Sequence, residues 1–222
     1  MPLKRHIPGV SLHWPGETKA QILASSGDAI VKRWRAAHMG APNYWRDIGY
    51  HYIVHRNAAG VWQVYDGRPD YLTGAHSGTN EGNEYLGINL AYGMDEVIPQ
   101  AAFEALAKLI AELSSVYDFP INRFTVRGHR EFLPNQCPGD QLYNRIDELC
   151  ALAKKIKAGS KTPPASVQPG PKPVAEEQIF PIKVIYQGRE LNGVLINSQT
   201  FISAHELGKP SWDPKTRTTT IK

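Results

Sequence analysis

The sequence predicts an α/β protein with a mixed central β-sheet flanked by helices on both faces, followed by a small β-rich C-terminal domain. Three observations lead to this prediction. Strand-like and helical patterns alternate through residues 1–157, as they do where helices pack on a sheet. Residues 158–178 are rich in proline, lysine, serine and glycine and lack apolar periodicity, which is typical of a semi-rigid linker. Residues 179–222 return to short strand-like segments.

Three helices are expected in the first region. The first follows Asp28, which we assign as its N-cap, and ends at Gly40. The second begins near Pro99, and the third covers residues 140–157. Two apolar stripes are expected to face the sheet. They consist of Ile30, Val31, Trp34 and Ala37 in the first helix and of Phe103, Leu106, Ile110 and Leu113 in the second.

Five strands are expected between these helices, over residues 8–13, 50–55, 61–65, 87–91 and 124–128. A turn at residues 57–60 joins the second strand to the third. In the C-terminal region, a hairpin around residues 187–189 is followed by a short helix at 204–207 and a last strand at 217–221. No internal repeat links the two regions.

Charge and cysteine content narrow the function classes. A net charge of +4 and a pI near 9.0 suit a protein that acts on a polyanion, such as nucleic acid, an anionic lipid surface or a teichoic-acid-bearing wall. The two cysteines, Cys137 and Cys150, do not indicate a disulfide framework. The N-terminus has no apolar run, and no stretch approaches the roughly 20 apolar residues of a membrane span. We therefore expect synthesis in the cytoplasm without a signal peptide and no membrane insertion.

Candidate metal ligands lie near the ends of predicted strands. His13 closes the first strand, Tyr50 and His51 begin the second, and His129 follows the fifth, with Cys137 eight residues later. Sites in open α/β sheets gather where strands end, so these segments are expected to converge in one cleft. Two imidazole nitrogens and a thiolate suit zinc and leave the fourth tetrahedral position for water. The residues therefore predict a catalytic zinc site.

Each candidate also has a simpler interpretation. A single histidine after a strand, such as His13, is more often a hydrogen-bonded residue than a ligand. The alternative for Cys137 is a buried free thiol in a loop, and the alternative for Tyr50 is an aromatic residue of the core. For Cys150, which precedes Ala-Leu-Ala on a helix, packing as a small apolar residue is the favoured interpretation.

Five ordered motifs together resemble the type-2 amidases, a family that includes phage lysozyme-amidases and animal peptidoglycan recognition proteins. The resemblance covers about residues 5–155. The motifs are a strand ending in His13, Gly49-Tyr50-His51, Gly74-Ala75-His76, Gly87-Ile88 and the H-x7-C-P-G pattern that starts at His129. Five motifs in order are far more specific than any one of them.

The resemblance implies a zinc-dependent N-acetylmuramoyl-L-alanine amidase, which cleaves the amide bond between N-acetylmuramic acid and L-alanine in peptidoglycan. It implies His13, His129 and Cys137 as the ligands of Zn²⁺. It also implies that Tyr50 orients the attacking water or stabilises the tetrahedral oxyanion. Peptidoglycan is then the expected partner, and nucleic acid is not.

One residue departs from the family pattern. The position two before the cysteine, often lysine or threonine in the family, is Asn135, which can donate a hydrogen bond to an oxyanion but cannot shuttle a proton. His76 and His51 are the candidates to protonate the departing amine, and His76 is favoured because it lies in the matching Gly-Ala-His motif. An ordinary loop histidine is the alternative for His76. Contacts to the substrate are expected from His51, Gly74 and Asn80.

The C-terminal region resembles the small stalk domains related to the N-terminal domain of copper amine oxidases. The similarity lies in residues 188–196 and in the Trp-Asp-Pro-Lys-Thr turn at residues 212–216, with a shorter helix between them than is usual. A copper site is not expected, because His205 is a lone histidine. This region is expected to bind a cell-wall polymer or to self-associate, with a simple spacer as the alternative.

Three functions remain to be separated. The first is the amidase, which the missing signal peptide and the resemblance to phage enzymes suggest is a bacteriolytic phage or prophage endolysin, released to the cell wall by holin-dependent or other lysis. The second is a non-catalytic peptidoglycan receptor, although relatives of that kind lack the metal-binding cysteine that Cys137 supplies here. The third is a thiol peptidase based on Cys137, which requires a thiolate of low pKa and leaves His13 and Tyr50 without roles.

Overall fold

The computed structural model describes residues 5–159 and, beyond them, the strands of the C-terminal region. The chain divides into two compact units, residues 1–170 and residues 171–222. The predicted linker boundaries at 158 and 178 stay a prediction, since residues 160–179 lie outside the described part.

The first unit is built on a five-stranded mixed sheet. Its strands are β1 (Val10–His13), β2 (Tyr52–Arg56), β3 (Trp62–Asp66), β4 (Leu86–Leu90) and β5 (Val126–Gly128). The order across the sheet is β3-β2-β4-β1-β5. The β2–β3 hairpin is antiparallel, whereas β2, β4, β1 and β5 run parallel to one another. The predicted mixed sheet is confirmed.

Helices cover both faces of this sheet, as predicted. They are α1 (Lys19–Leu23), α2 (Asp28–Met39), α3 (Asn80–Glu84), α4 (Gln100–Tyr117), α5 (Asp140–Tyr143) and α6 (Ile146–Gly159). The short helices α1 and α3 were not predicted, because five residues carry too little periodicity. None of the helices in the described residues is both long and apolar enough to cross a membrane.

Three details of the predicted helices are wrong. The helix expected over residues 140–157 is interrupted at Asn144, which ends α5 by returning its backbone N–H to Asp140. Asparagine favours such ends because its side chain competes with helical hydrogen bonding. In α2, the N-cap is Gly27, and Asp28 is the first helical residue, where its charge still complements the helix dipole. Ala37 is exposed, so the apolar stripe of α2 ends at Trp34.

One face of the sheet is uniformly apolar. Val10 and Leu12 of β1 and Ile88 of β4 pack there against α4 and α6. The four residues predicted for the inner stripe of α4 are all fully buried: Phe103, Leu106, Ile110 and Leu113. This face therefore forms the main hydrophobic core and anchors the parallel strands.

The opposite face has an apolar half and a polar half. Under α2, the side chains of Ile30 and Trp34 cluster with Ile53 of β2. On β1 and β4, the side chains that share this face by register are polar, namely His13 and its neighbour Asn89. Both are buried, and they lie towards the carboxyl ends of their strands. This polar half holds the residues that the sequence singled out.

The C-terminal unit contains two small antiparallel sheets. β6 (Phe180–Tyr186), β7 (Arg189–Ile196) and β8 (Gln199–Ile202) form one, and β9 (Pro210–Asp213) pairs with β10 (Thr218–Ile221) in the other. The pairing of β6 with β7 agrees with the predicted hairpin. The predicted short helix at 204–207, and residues 188 and 214–216 of the stalk-like motif, lie outside the described residues.

Candidate metal centre

Two histidines and a cysteine from three separate segments of the chain lie close together. His13 is the last residue of β1, His129 directly follows β5, and Cys137 lies in the loop before α5. One nitrogen of each histidine and the cysteine sulfur all lie within 4.8 Å of one another. The structure thus brings together the three residues predicted as metal ligands.

The loop that carries Cys137 is held by Arg130. The backbone N–H of Arg130 donates to the carbonyl of Cys137 over 3.0 Å, and its guanidinium Nε donates to the same oxygen over 3.2 Å. The guanidinium also pairs with Asp140 at 2.7 Å. Arg130 therefore fixes the position of the sulfur relative to His129, which is the residue before it.

Asn135 shapes the same loop. Its Oδ1 accepts the backbone N–H of Cys137 at 2.7 Å, and its Nδ2 donates to the carbonyl of Leu133 at 2.5 Å. Both ends of the amide are thus engaged within the loop, although the residue itself is exposed. The structure gives Asn135 a place in orienting Cys137, and its predicted catalytic role stays a prediction.

The hydrogen bonds of His76 determine which nitrogen of His13 is free. His76 Nε2 lies 3.2 Å from the carbonyl of Tyr85, which can only accept, so this nitrogen carries the proton. Burial, followed by the charges of neighbouring groups such as His51, holds the pKa of His76 well below its usual range, so its Nδ1 is a bare acceptor. That acceptor lies 3.0 Å from His13 Nε2, which must donate to it. The lone pair of His13 Nδ1 is then directed towards Cys137 Sγ, 3.6 Å away.

His129 is oriented in the same way. Its Nε2 lies 3.1 Å from the carbonyl of Ser77 and donates to it. Burial lowers the pKa of His129, so the ring is neutral and its Nδ1 keeps a lone pair. Metal-binding histidines commonly donate their second nitrogen to such a carbonyl or carboxylate, which fixes the ring and raises its basicity. The arrangement therefore has the donor set of a zinc site.

Two glycines make room for the ring of His76. A Cβ added to Gly87 would lie 2.2 Å from Cδ2 of His76, and one added to Gly74 would lie 2.4 Å from the same atom. This explains why the Gly-Ala-His and Gly-Ile motifs accompany the ligands. Both nitrogens of His76 are engaged, one of them by His13, so the structure gives His76 the position of a residue that orients His13. Its predicted role in protonating the departing amine stays a prediction.

Replacing Gly87 with alanine tests this arrangement. The added methyl group must displace the His76 ring and with it the proton acceptor of His13, so we expect zinc affinity to fall about 10- to 100-fold. Competition with a chromogenic chelator measures it. The control is Gly159→Ala, because an added Cβ there meets nothing within 4 Å. Unchanged affinity in a folded Gly87→Ala protein would contradict the proposed role of His76.

The predicted substrate contacts are only partly accessible. His51 is buried, with Nδ1 accepting the N–H of Gly87 at 2.9 Å and Nε2 lying 3.0 Å from the carbonyl of Leu72. Burial lowers its pKa to about 3, so the ring is neutral. Gly74 is buried as well, and the predicted contacts of His51 and Gly74 with a substrate stay a prediction. Asn80 is exposed at the start of α3, and its role stays a prediction.

Tyr50 borders the ligands from the β2 side. Its ring centroid lies 5.2 Å from that of His13, and the residue is partly exposed. Burial of the phenol, together with the charge of Cys137, raises the pKa of Tyr50, so the hydroxyl keeps its proton. Tyr50 can therefore donate a hydrogen bond beside the metal ligands.

Two asparagines in this region were missed by the sequence analysis. Asn83 Oδ1 accepts the backbone N–H groups of His76 and Ser77 at 2.9 and 3.0 Å, and so holds the segment that orients both histidine ligands. Asn89 lies fully buried beside His13 in the register of the sheet. The sequence feature that could have identified Asn89 is its polar side chain within the otherwise apolar strand Leu-Gly-Ile-Asn-Leu.

The chain is also similar to known proteins in sequence. The model of a family described as N-acetylmuramoyl-L-alanine amidase matches residues 4–140. Peptidoglycan recognition protein 1 of Bos indicus is 30% identical over 105 residues, which is 47% of this chain and 53% of that relative. The chain thus spans about half the length of this curated relative.

Solved structures share the fold of the first unit. The Drosophila peptidoglycan recognition protein SD has a TM-score of 0.51 at 23% identity, over 63% of this chain and 79% of that chain. Wild-type Drosophila PGRP-LB has a TM-score of 0.50 at 25% identity, over 63% of this chain and 79% of that chain. The mixed sheet with flanking helices is therefore an arrangement already seen in solved proteins.

Proposed function

Because the chain belongs to the N-acetylmuramoyl-L-alanine amidase family, we propose that it is a zinc-dependent hydrolase of the bond between N-acetylmuramic acid and L-alanine in peptidoglycan. The observation that carries this proposal is the cluster of His13, His129 and Cys137, whose ligand atoms lie within 4.8 Å of one another. Three protein ligands are the number found in catalytic zinc sites, whereas structural sites usually have four.

The donor atoms fit zinc better than other common cations. Two neutral imidazoles and one sulfur are the borderline and soft ligands that zinc prefers, and magnesium and calcium require oxygen ligands instead. The carbonyl of Ser77 orients the ring of His129 directly. The carbonyl of Tyr85 orients His76, which in turn orients the ring of His13. Both orientations are set before any ion binds. When bound there, zinc would supply a Lewis acid that acidifies water and polarises a carbonyl group.

The residues of the chain supply the rest of the chemistry. Tyr50 holds a protonated hydroxyl near His13 and is placed to donate a hydrogen bond to the oxygen that gains charge as the amide is attacked. The hydrogen bond between His13 and His76 favours one tautomer of His13 and restrains the orientation of its ring. Arg130 and Asn135 hold Cys137 in place through its backbone. The site is thus organised before the substrate arrives.

A thiol peptidase based on Cys137 is disfavoured by the surroundings of the sulfur. Burial raises the pKa of the Cys137 thiol to about 12, although the backbone N–H of Trp14 and the charge of Arg130 act in the opposite direction. A cysteine nucleophile needs a pKa below its normal value. A zinc ion reverses this effect, since a coordinating thiol loses its proton.

A peptidoglycan receptor without activity is the second candidate, and one observation favours it. The curated relatives that match the chain are named for recognition of peptidoglycan. Binding and cleavage can share one cleft, so product analysis must separate the two functions.

The test uses the full chain, defined muropeptides and insoluble peptidoglycan. We expect mass spectrometry to show the glycan and a peptide with a free L-alanine amino group as separate products. Chelation should stop their release, and added zinc should restore it. Cleavage that persists after the bound metal is removed would contradict zinc dependence. Tight binding of muropeptide without cleavage would favour the receptor.

The biological setting is part of the same proposal. The resemblance to phage enzymes supports an endolysin that acts on the cell wall after release from the cytoplasm. For the C-terminal unit, the stalk-like sequence motif supports attachment to a wall polymer or self-association. Sedimentation of the full chain with purified cell walls, compared with residues 1–159 alone, tests attachment, and equal sedimentation would rule it out.

A further inference from the structure

The loop that carries Cys137 has an exposed side and a buried side. On the exposed side, Asn135 accepts the backbone N–H of Cys137. The two residues that follow the cysteine are buried. Their neighbours inside the protein are Trp14, which follows β1, and Tyr92, which follows β4.

Tyr92 ties the loop to the interior through its hydroxyl. The exposed fraction of Tyr92 is 0%, and its ring belongs to the main hydrophobic core. The hydroxyl donates to the carbonyl of Pro138 over 3.1 Å, since a carbonyl oxygen can only accept. Both partners are buried, so water does not compete for this hydrogen bond. The residue directly after Cys137 is thereby fixed to the core.

Trp14 contacts the same loop in two ways. Its backbone N–H donates to Cys137 Sγ over 3.4 Å. Its ring lies against Gly139, where an added Cβ would be 2.9 Å from Cε3 of Trp14 and 2.9 Å from the hydroxyl of Tyr92. The two aromatic rings are neighbours, with centroids 5.8 Å apart. Trp14 and Tyr92 therefore meet around the turn that follows the sulfur.

The position of Trp14 in the chain links two of the proposed ligands. His13 Nδ1 lies 3.6 Å from Cys137 Sγ, and the N–H that reaches this sulfur belongs to the next residue, Trp14. A shift of this backbone segment would move the imidazole and the donor to the sulfur together. The distance between these two ligands is therefore set by contacts within the chain.

We propose that Trp14 and Tyr92 are positioning residues that hold Cys137 at the distance from His13 that a metal ion requires. Both side chains close on the turn after the cysteine. The N–H of Trp14 adds a hydrogen bond to the sulfur, and such a bond strengthens when the acceptor is anionic. This inference rests on the proposed function and adds to it the residues that place the sulfur ligand.

A role in packing alone leads to a different expectation. Trp14 and Tyr92 also contact the main hydrophobic core, so substitution of either will lower the free energy of unfolding. A residue that only packs would leave the metal affinity of the folded protein unchanged. Partners that orient a ligand typically cost about 10- to 100-fold in metal affinity when they are lost. Metal affinity therefore separates the two roles.

Tyr92→Phe in the full chain tests the hydroxyl. The probe is Co²⁺, which binds nitrogen and sulfur ligands as zinc does and absorbs in the near ultraviolet when bound to a thiolate. We expect Co²⁺ affinity to fall about tenfold and the thiolate band to weaken, because the turn is no longer tied to the core. Wild-type affinity in Tyr92→Phe would overturn the proposal, however much stability is lost.

Tyr52→Phe is the matched control. The Tyr52 hydroxyl is also buried and hydrogen-bonded, but it donates to Asp70, at 2.5 Å, and not to the cysteine loop. We expect this variant to lose stability and to keep the Co²⁺ affinity of the wild type. An equal loss of affinity in Tyr52→Phe and Tyr92→Phe would show a general effect of stability and would contradict a specific role for Tyr92.

A double-mutant cycle tests whether the two residues act on the same turn. Trp14→Ala removes the indole and keeps the backbone N–H, and we expect it to lower Co²⁺ affinity about tenfold. Combined with Tyr92→Phe, the loss should be clearly smaller than the product of the two single losses, because one missing contact already frees the turn. A loss equal to that product would show independent effects and would contradict the proposal.

A measurement without metal or substrate separates this inference from the amidase proposal. The chain has two cysteines, so in a Cys150→Ala background the reaction of metal-free protein with a disulfide reagent reports on Cys137 alone. We expect Tyr92→Phe to speed this reaction severalfold and Tyr52→Phe to leave it unchanged. An unchanged rate in Tyr92→Phe would refute the positioning role even in an active enzyme. A faster reaction and weaker Co²⁺ binding in a chain that cleaves no muropeptide would uphold the positioning role and refute the proposed function.

Discussion

Replacing Cys137 with alanine is expected to remove stoichiometric zinc and to reduce muropeptide cleavage below about 1% of the wild-type rate. The sulfur is the one anionic donor in the cluster, and the two remaining imidazoles make an incomplete site. Loss of a residue that merely supports a metal ligand costs about 10- to 100-fold in affinity or activity, so loss of the ligand itself should cost more. Metal analysis of the purified protein and product quantification measure both effects.

The chain supplies a matched control for this experiment. Cys150 is the other cysteine, and it is buried in α6 as part of the hydrophobic core. Cys150→Ala should keep one zinc per chain and near wild-type activity, with a modest loss of stability from the smaller side chain. If Cys137→Ala retained zinc and activity, the ligand assignment would be wrong. If it retained zinc and lost only activity, Cys137 would have a role other than binding the metal.

The second large effect is expected for Tyr50→Phe, with kcat falling about 10²- to 10³-fold and KM changing little. The substitution removes a single hydroxyl from a ring that lies 5.2 Å from that of His13, and leaves the ring in place. Removing one donor from an oxyanion site typically costs about this much, because the hydrogen bond strengthens only as charge develops. Steady-state kinetics with a soluble muropeptide would measure the change, with zinc content determined on the same samples.

Tyr85→Phe is the control for loss of a tyrosine hydroxyl. The Tyr85 hydroxyl makes a long contact of 3.3 Å with the carbonyl of Phe124, and the part of Tyr85 that supports His76 is its backbone carbonyl. That carbonyl survives the substitution, so kcat should stay within about twofold of wild type. Equal losses in the two variants would show that Tyr50 acts through general stability. A normal kcat with a raised KM in Tyr50→Phe would place its hydroxyl in substrate binding alone.

The parts of the fold that follow a regular period could be predicted from the sequence. The stripe of α4 and the alternation of Val10 and Leu12 with polar residues in β1 indicate burial directly, because hydrophobic packing follows the geometry of the element. Features set by a single local interaction could not be predicted. The break at Asn144 and the position of the α2 N-cap at Gly27 depend on local backbone geometry that no periodicity records.

The candidate site divides in a similar way. The convergence of His13, His129 and Cys137 could be predicted, because few residue types bind zinc and because strand ends converge. The positions of His51 and His76 could not, since the same imidazole can face a substrate or support a ligand, and only the carbonyls of Leu72 and Tyr85 decide between these. Asn89 was missed because the burial of its amide beside His13 is a property of the packed sheet, which the sequence does not record.

The wide separation of the proposed ligands along the chain has a consequence for the stability of the protein. The sulfur and the first imidazole are 124 positions apart, so an unfolded chain offers no preformed site, and an ion that binds only the folded form acts as a reversible cross-link. A free ion concentration one thousand times the dissociation constant would add about 4.1 kcal/mol to the free energy of unfolding. If the proposed function is right, scarcity of zinc would lower the stability of the folded protein as well as its activity.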